Sequence, residues 1–157
     1  MGVSGSGKTL IARRLAAARS AAFADADDFH PPENVAKMAS GLPLDDDDRA
    51  PWLASLRRWL GERHAEGRAA VLACSALKRR YRDALRAGLP SVAFVHLVVP
   101  AEELARRLES RTHFMPRALL ASQLETLEPL EPDERGIDVD GTASPEAIVA
   151  EILLAFA

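Results

Sequence analysis

The sequence predicts an α/β fold: a three-layer sandwich in which a mostly parallel sheet carries helices on both faces. Three observations predict it. Helical and strand-like segments alternate from end to end, with no break in composition, no low-complexity tract and no internal repeat. Short apolar runs end in acidic or small polar residues. A glycine-rich loop runs straight into a segment of helical periodicity. With 157 residues the chain fits one compact domain, 1–157, and is too short for two ordinary ones.

Taken in order, Leu10, Ile11 and Leu15 recur at helical spacing behind the glycine loop, and residues 21–25 form a short buried strand ending in acids. Asp48, ahead of Ala50, Pro51 and Trp52, reads as a helix start. Trp52, Leu53, Leu56, Trp59 and Leu60 supply that helix with one apolar stripe, which assigns the tryptophans to the core. The next buried strand is 69–74. A basic helix over 77–87 follows and is closed by Gly88. Residues 92–99 give the clearest strand. A helix over 101–110, an irregular piece through Pro116 and a second helix to about 127 come next. Residues 137–140 make a short last strand. Ser144, Pro145 and Glu146 are an N-cap and first turn for the closing helix.

Hydrophobic residues make up 48% and charged residues 27%, with a formal net charge of -3, so the strongly basic balance of a general nucleic-acid binder is lacking. Only three lysines, Lys8, Lys37 and Lys78, stand against seventeen arginines among the 20 basic residues. The single cysteine, Cys74, excludes an internal disulfide or a cysteine metal cluster and favours a reducing, cytoplasmic setting. No apolar run approaches the roughly 20 residues of a membrane span, and Gly and Ser at the first positions do not form a signal peptide.

Gly2-Val3-Ser4-Gly5-Ser6-Gly7-Lys8-Thr9 fits G-x-x-x-x-G-K-[ST] at every fixed position. Small residues let successive backbone N–H groups turn inward around phosphate oxygens, at the start of a helix whose dipole favours anions. Lys8 then bridges the β- and γ-phosphates, and the Thr9 hydroxyl ligates Mg²⁺. A chance match in such a chain has odds of roughly one in a few hundred, so a merely flexible glycine-rich N-terminus is the weaker reading. Only Met1 precedes Gly2, whereas such a loop follows a strand. The first strand is therefore expected to be truncated, and a translation start upstream of Met1 is the expected explanation.

Asp25, Asp27 and Asp28 stand at the end of the first recognisable strand, followed by Phe29, His30 and Pro31. Carboxylates there lie on the ligand side of an open α/β sheet, and strand alternation points Asp25 and Asp27 the same way. One could act through Mg²⁺-bound water while the other accepts the proton of an attacking hydroxyl; a solvated acidic turn is the competing reading. The run Asp45 to Asp48 reads mostly as solvated loop and helix caps, but Arg49 offers a bidentate guanidinium to an anionic substrate. Ser75 and Lys78 project from the ligand side behind the next strand, although Lys78, Arg79, Arg80 and Arg82 equally fit a solvated helix face. Arg107, Arg111 and His113 fall in or beside the irregular piece, where positive residues on a flap can close over a triphosphate.

Together the strings GVSGSGKT, DADDFHP, NVAKMASGLPLDDDDRAPWL, CSALKRRYRD and RTHFMPRALLASQLETLEPLE resemble the gluconokinase family, the thermoresistant type among the nucleoside-monophosphate-kinase-like P-loop kinases. The pieces fall in order over nearly the whole chain. The resemblance implies a P-loop kinase sandwich with a small lid, about 107–123, and ATP-dependent, Mg²⁺-assisted phosphorylation of D-gluconate to 6-phosphogluconate, usually by a homodimer. It implies that Gly2, Val3, Ser4, Gly5, Ser6, Gly7, Lys8 and Thr9 bind ATP phosphates, with Arg107 on the nucleotide side. Lys8, Asp27 and Arg111 are then catalytic, with Asp27 orienting or deprotonating the attacking hydroxyl. Asp27, His30, Arg49, Lys78 and His113 face the acceptor, and Thr9 and Asp25 the metal. Another small-molecule kinase such as a shikimate kinase fits less well, because of the HFMP and PLDDDDRAPWL strings. A GTPase fits poorly, since the only asparagine is Asn34 in N-V-A-K rather than N-K-x-D. An inactive, truncated nucleotide-binding protein is the remaining alternative.

Overall fold

In the computed structural model, residues 1–109 and 117–157 are described, with the side chains of 117–119 excepted. Four strands are present among them: β1 (Ala22–Asp25), β2 (Ala70–Ala73), β3 (Phe94–Val98) and β4 (Gly136–Asp140). The helices are α1 (Lys8–Ala18), α2 (Pro32–Ala39), α3 (Asp46–Ala65), α4 (Arg79–Arg86), α5 (Ala101–Glu109), α6 (Arg117–Thr126) and α7 (Pro145–Ala155). The four strands and most helices lie within a residue or two of their expected places, and α2 is an element the sequence reading lacked. None of these helices is long and apolar enough to cross a membrane.

Every strand pair is parallel. β1 pairs with β2 from Ala22↔Ala70 to Asp25↔Ala73, and β3 with β4 from Phe94↔Gly136 to Val98↔Asp140. The expected single sheet is instead two two-stranded ladders. Met1 and Gly2 stand between them. The Met1 nitrogen donates to the Val95 carbonyl, the Leu97 N–H donates to the Met1 carbonyl (3.1 Å), and the Gly2 N–H donates to the Ser75 carbonyl (3.1 Å). Met1 and Gly2 thus link the two ladders through backbone hydrogen bonds.

Two layers of helix cover the ladders because the strand side chains alternate. Leu97 and Val139, with Val95 and Ile137, pack against Ile11 of α1 and Ile148 and Ile152 of α7. On the other face Phe94, Leu72 and Cys74 meet Trp52, Leu53 and Leu56 of α3 and Tyr81 and Leu85 of α4. Leu56 is fully buried, which contributes about 1.5–3 kcal/mol for such a side chain. A third cluster joins Val3 of the glycine loop to Leu104 and Leu108 of α5 and Leu120 of α6.

α3 starts at Asp46, two residues before the expected Asp48, for an electrostatic reason. Asp45 accepts the Asp48 N–H at 2.9 Å while the Asp48 carboxylate accepts the Asp45 N–H at 2.8 Å, a reciprocal capping box. Lys37 of α2 bridges both carboxylates. α7 begins as expected, with the Ser144 hydroxyl accepting the Ala147 N–H.

Candidate active site

The glycine loop is wound tightly between β3, α5 and α6. Gly2 has φ 138°, and a Cβ there would lie 3.0 Å from Ser6 Oγ and 3.2 Å from the Leu97 carbonyl oxygen, so only glycine fits. Gly7 caps α1 with φ 94° and leaves the first N–H groups of that helix without a side-chain cap. The Ser4 N–H donates to Gln123 Oε1 (2.7 Å), and Lys8 Nζ curls back to the Val3 carbonyl (3.0 Å). Ser6 Oγ is buried with no hydrogen-bond partner among the described residues. A compact nest of N–H donors, a lysine and an unmet hydroxyl suits an oxyanion ligand.

Arg107 crosses above this loop from α5. Its Nε donates to Glu103 (2.7 Å), Nη1 to the Gly5 carbonyl (3.5 Å) and Nη2 to the Gly141 carbonyl (3.0 Å). Arg107, expected on the nucleotide side, lies against the glycine loop at Gly5. Arg111 and His113 lie outside the described residues, as does the middle of the expected lid.

Thr9 and Asp25 meet, the hydroxyl donating to Asp25 Oδ2 at 2.7 Å. A hydroxyl beside a carboxylate is the oxygen-donor set that a small hard cation shares with phosphates and water. Asp27 comes beside them by a route other than strand alternation. β1 ends at Asp25, which caps a 3-10 turn over Ala26–Phe29 by accepting the Asp27 N–H at 3.2 Å. Solvent reaches the residue at the mouth of the site. Even so, crowding by protein atoms and the Asp25 carboxylate push the Asp27 pKa above its ordinary value, against the pull of His30 and Lys8.

His30 stacks on Trp52, with centroids 4.6 Å apart and planes at 7°. Trp52 also donates from Nε1 to the Ala26 carbonyl (2.7 Å), so one core side chain braces both ends of the turn that carries Asp27. Burial lowers the His30 pKa, favouring the neutral ring. Asn34, buried in α2, lies 3.5 Å from His30 Nδ1 and donates to the Asp48 carbonyl at 2.8 Å.

Arg49 and Lys78 converge on Tyr81. Arg49 Nη1 donates to the Leu44 carbonyl (2.5 Å) and the Tyr81 hydroxyl (3.3 Å), and Lys78 Nζ lies 3.6 Å from Asp46 and 5.6 Å from the Tyr81 ring. The Tyr81 hydroxyl donates to Asp46 at 2.5 Å, and Arg80 also pairs with Asp46. Asp46 and Tyr81 join this cluster without having been singled out in the sequence: Asp46 hid in an acidic run, and Tyr81 in a basic helix, although its i+3 spacing from Lys78 is a usable signal.

The basic helix is neither wholly a ligand surface nor wholly a solvated face. Arg82 is completely buried. Its Nε and Nη2 pair with Glu134 at 2.6 and 2.7 Å, and the remaining N–H groups reach the carbonyls of Ala76, Leu77, Glu128 and Pro129 at 3.0–3.3 Å. Arg79 binds Asp83, Glu131 and Asp133. Lys78, at the N-cap of α4, points with Arg80 toward Asp46 and Tyr81.

A family model described as an AAA domain matches residues 1–130. The gluconokinase of Gluconobacter oxydans (strain 621H) is 49% identical over 157 residues, which cover 99% of this chain and 88% of that protein. The crystal structure of a gluconokinase from Sinorhizobium meliloti 1021 superposes with a TM-score of 0.87 at 47% identity, covering 99% of this chain and 88% of that one. A shikimate kinase from Aquifex aeolicus shares the fold alone, with a TM-score of 0.60 at 19% identity over 99% of this chain and 92% of that one.

Proposed function

This chain belongs to the gluconokinase family, and from that premise we propose that it transfers the γ-phosphoryl group of ATP to a hydroxyl of D-gluconate, giving 6-phospho-D-gluconate. One observation carries the chemistry: the phosphate loop is tied through Thr9 and Asp25 to the turn that bears Asp27 and leads into His30. Donor phosphates and an acceptor hydroxyl therefore meet at one edge of the sheet, and phosphoryl transfer is largely a matter of such positioning and charge stabilisation.

In this reading the N–H groups of Gly2 to Thr9 hold the β- and γ-phosphate oxygens, Lys8 swings from the Val3 carbonyl onto them, and Arg107 covers the nucleotide side. Mg²⁺, if held by Thr9 and Asp25, neutralises charge on the β- and γ-oxygens. Asp27, its pKa raised toward the working range, orients the attacking hydroxyl and takes its proton. His30, kept neutral by burial, donates to or accepts from a sugar hydroxyl without bringing charge. Arg49 and Lys78 receive the gluconate carboxylate, with Tyr81 and Asp46 fixing their heads. Arg111 and His113 complete the lid over the triphosphate and the acceptor. A homodimer working in the cytoplasm is the setting proposed for it.

The test is ADP release from the purified protein with ATP, Mg²⁺ and D-gluconate, shikimate or nucleoside monophosphates in turn. Turnover is expected with gluconate alone. Turnover with a nucleoside monophosphate and none with gluconate would refute the acceptor assignment.

A further inference from the structure

His30 and Asn34 stand at the joint between the 3-10 turn and α2. Pro32 opens α2 and the Asn34 N–H donates to the Pro31 carbonyl at 3.0 Å, so the Asn34 side chain leaves the first turn of the helix beside the His30 ring. Only 4% of Asn34 is exposed, and its amide hydrogens need partners inside the protein. One goes to the Asp48 carbonyl at 2.8 Å. A carbonyl only accepts, so this contact fixes which end of the side-chain amide faces α3: the nitrogen, not the oxygen. The same nitrogen lies 3.5 Å from His30 Nδ1 and carries a second hydrogen for it. A donor facing Nδ1 calls for a lone pair there, and in a neutral imidazole the proton then sits on Nε2. Burial favours that neutral ring, with the charges of Asp27 and Arg49 acting on it in opposite senses.

The surroundings of this chain of contacts are fixed too. Stacking on the buried Trp52 sets the plane of the His30 ring, and Trp52 is itself tied through Nε1 to the Ala26 carbonyl. Asp48 is held by its reciprocal cap with Asp45 and by Lys37, which reaches both carboxylates from α2. We propose that Asn34 is a positioning residue that fixes His30 as the Nε2–H tautomer, so that His30 serves the acceptor as a hydrogen-bond donor rather than as a base. The proposal rests on the reading that His30 faces gluconate, and it names what His30 meets there: an oxygen offering a lone pair. Proton abstraction is thereby left to Asp27.

The test reads the ring nitrogens of His30 by long-range ¹H–¹⁵N NMR at a pH where the ring is neutral, with the loss of one signal set in His30→Gln assigning His30 among the four histidines. In the unmodified protein His30 is expected to carry its proton on Nε2 and a lone pair on Nδ1. Asn34→Asp places a carboxylate, which only accepts, before Nδ1. It is expected to draw a proton onto Nδ1 and to lower kcat/KM for gluconate by roughly 10–100-fold, with KM for ATP unchanged. His30→Gln, whose amide nitrogen takes the place of Nε2, is expected to keep about tenfold more kcat/KM than His30→Asn, whose nitrogen takes the place of Nδ1. A proton on Nδ1 of His30 in the unmodified protein would overturn the proposal, whichever acceptor is phosphorylated. So would an Asn34→Asp variant that melts lower yet keeps Nδ1 bare, because Asn34 would then only tie α2 to α3. A proton drawn onto Nδ1 with kcat/KM for gluconate unchanged would overturn the positioning role. The NMR readout needs no substrate, so gluconate turnover by the unmodified protein reports on the acceptor reading separately.

Discussion

Replacing Arg82 with methionine removes a guanidinium that is fully buried and bonded at every N–H, while keeping most of the aliphatic volume. The Glu134 carboxylate, itself without solvent exposure, then loses its two short contacts and keeps, among the described residues, only the Glu131 N–H at 3.0 Å and Arg79 at 3.8 Å. Breaking a buried pair in this way costs about 3–5 kcal/mol, a fifth or more of the stability of an ordinary domain. With a urea slope of about 2 kcal/mol/M, the unfolding midpoint is expected to fall by roughly 1.5–2.5 M. Replacing both partners, Arg82→Met with Glu134→Leu, should restore part of the loss by removing the orphaned charge. The acid side gives a second check. Hydrogen bonding to Arg82 holds the Glu134 pKa below the ordinary carboxylate range, so its stabilisation is complete above the unfolded value of about 4.3 and disappears as pH falls through the lower folded value. The Arg82→Met variant should lose that segment of the pH dependence. A midpoint shift equivalent to less than about 1 kcal/mol, or a double variant no more stable than the single one, would refute the argument.

Two further perturbations separate the halves of the site. Asp27→Asn is expected to lower kcat by about 10²–10⁴-fold with ATP affinity unchanged, since the lost group acts on the acceptor hydroxyl; the parent enzyme should gain kcat as pH rises through the raised Asp27 pKa, and a variant with normal turnover removes Asp27 from that role. Gly2→Ala places a Cβ 3.0 Å from Ser6 Oγ at φ 138°, so about 1–3 kcal/mol of strain should appear as weaker nucleotide binding in calorimetry with gluconate affinity kept, and unchanged ATP affinity would contradict the loop geometry.

The phosphate loop was legible because its chemistry constrains consecutive residues, so spacing alone identifies Gly2 to Thr9. The strands were legible because β3, with helices on both faces, is apolar but for His96, which meets Asp138 of β4 at 2.9 Å. What sequence concealed was partnership. Arg79, Arg80 and Arg82 look alike in a string, yet one anchors a loop of acids, one pairs with Asp46 and one is buried against Glu134, 52 positions away. Asp25 and Asp27 were correctly brought together for the wrong reason, because a side-chain-capped 3-10 turn and a strand both place such neighbours on one side. Trp52 was read as core and is core, but its stacking on His30 depends on a contact across 22 positions that no local pattern encodes.

Position in the fold explains why the split sheet bears on catalysis as well as stability. β1, β2 and the helices around them carry Asp25, Asp27, His30, Arg49 and Lys78; β3, β4 and α5 carry Arg107 and the Gly141 carbonyl that it binds. Among the described residues, three sets of polar contacts help to hold these halves in register: Met1 and Gly2 reaching both ladders, Thr9 on Asp25, and Arg82 with the Leu77 carbonyl binding the segment from Glu128 to Glu134. The third set acts at a strained place. Ala76 has φ 44° without being glycine, and Arg82 holds its carbonyl two residues before Lys78. Donor and acceptor groups must stay aligned to within a fraction of an ångström for transfer. Loosening the third set, as Arg82→Met does, is therefore expected to lower kcat by more than it weakens the affinity for either substrate, measured on the fraction that remains folded.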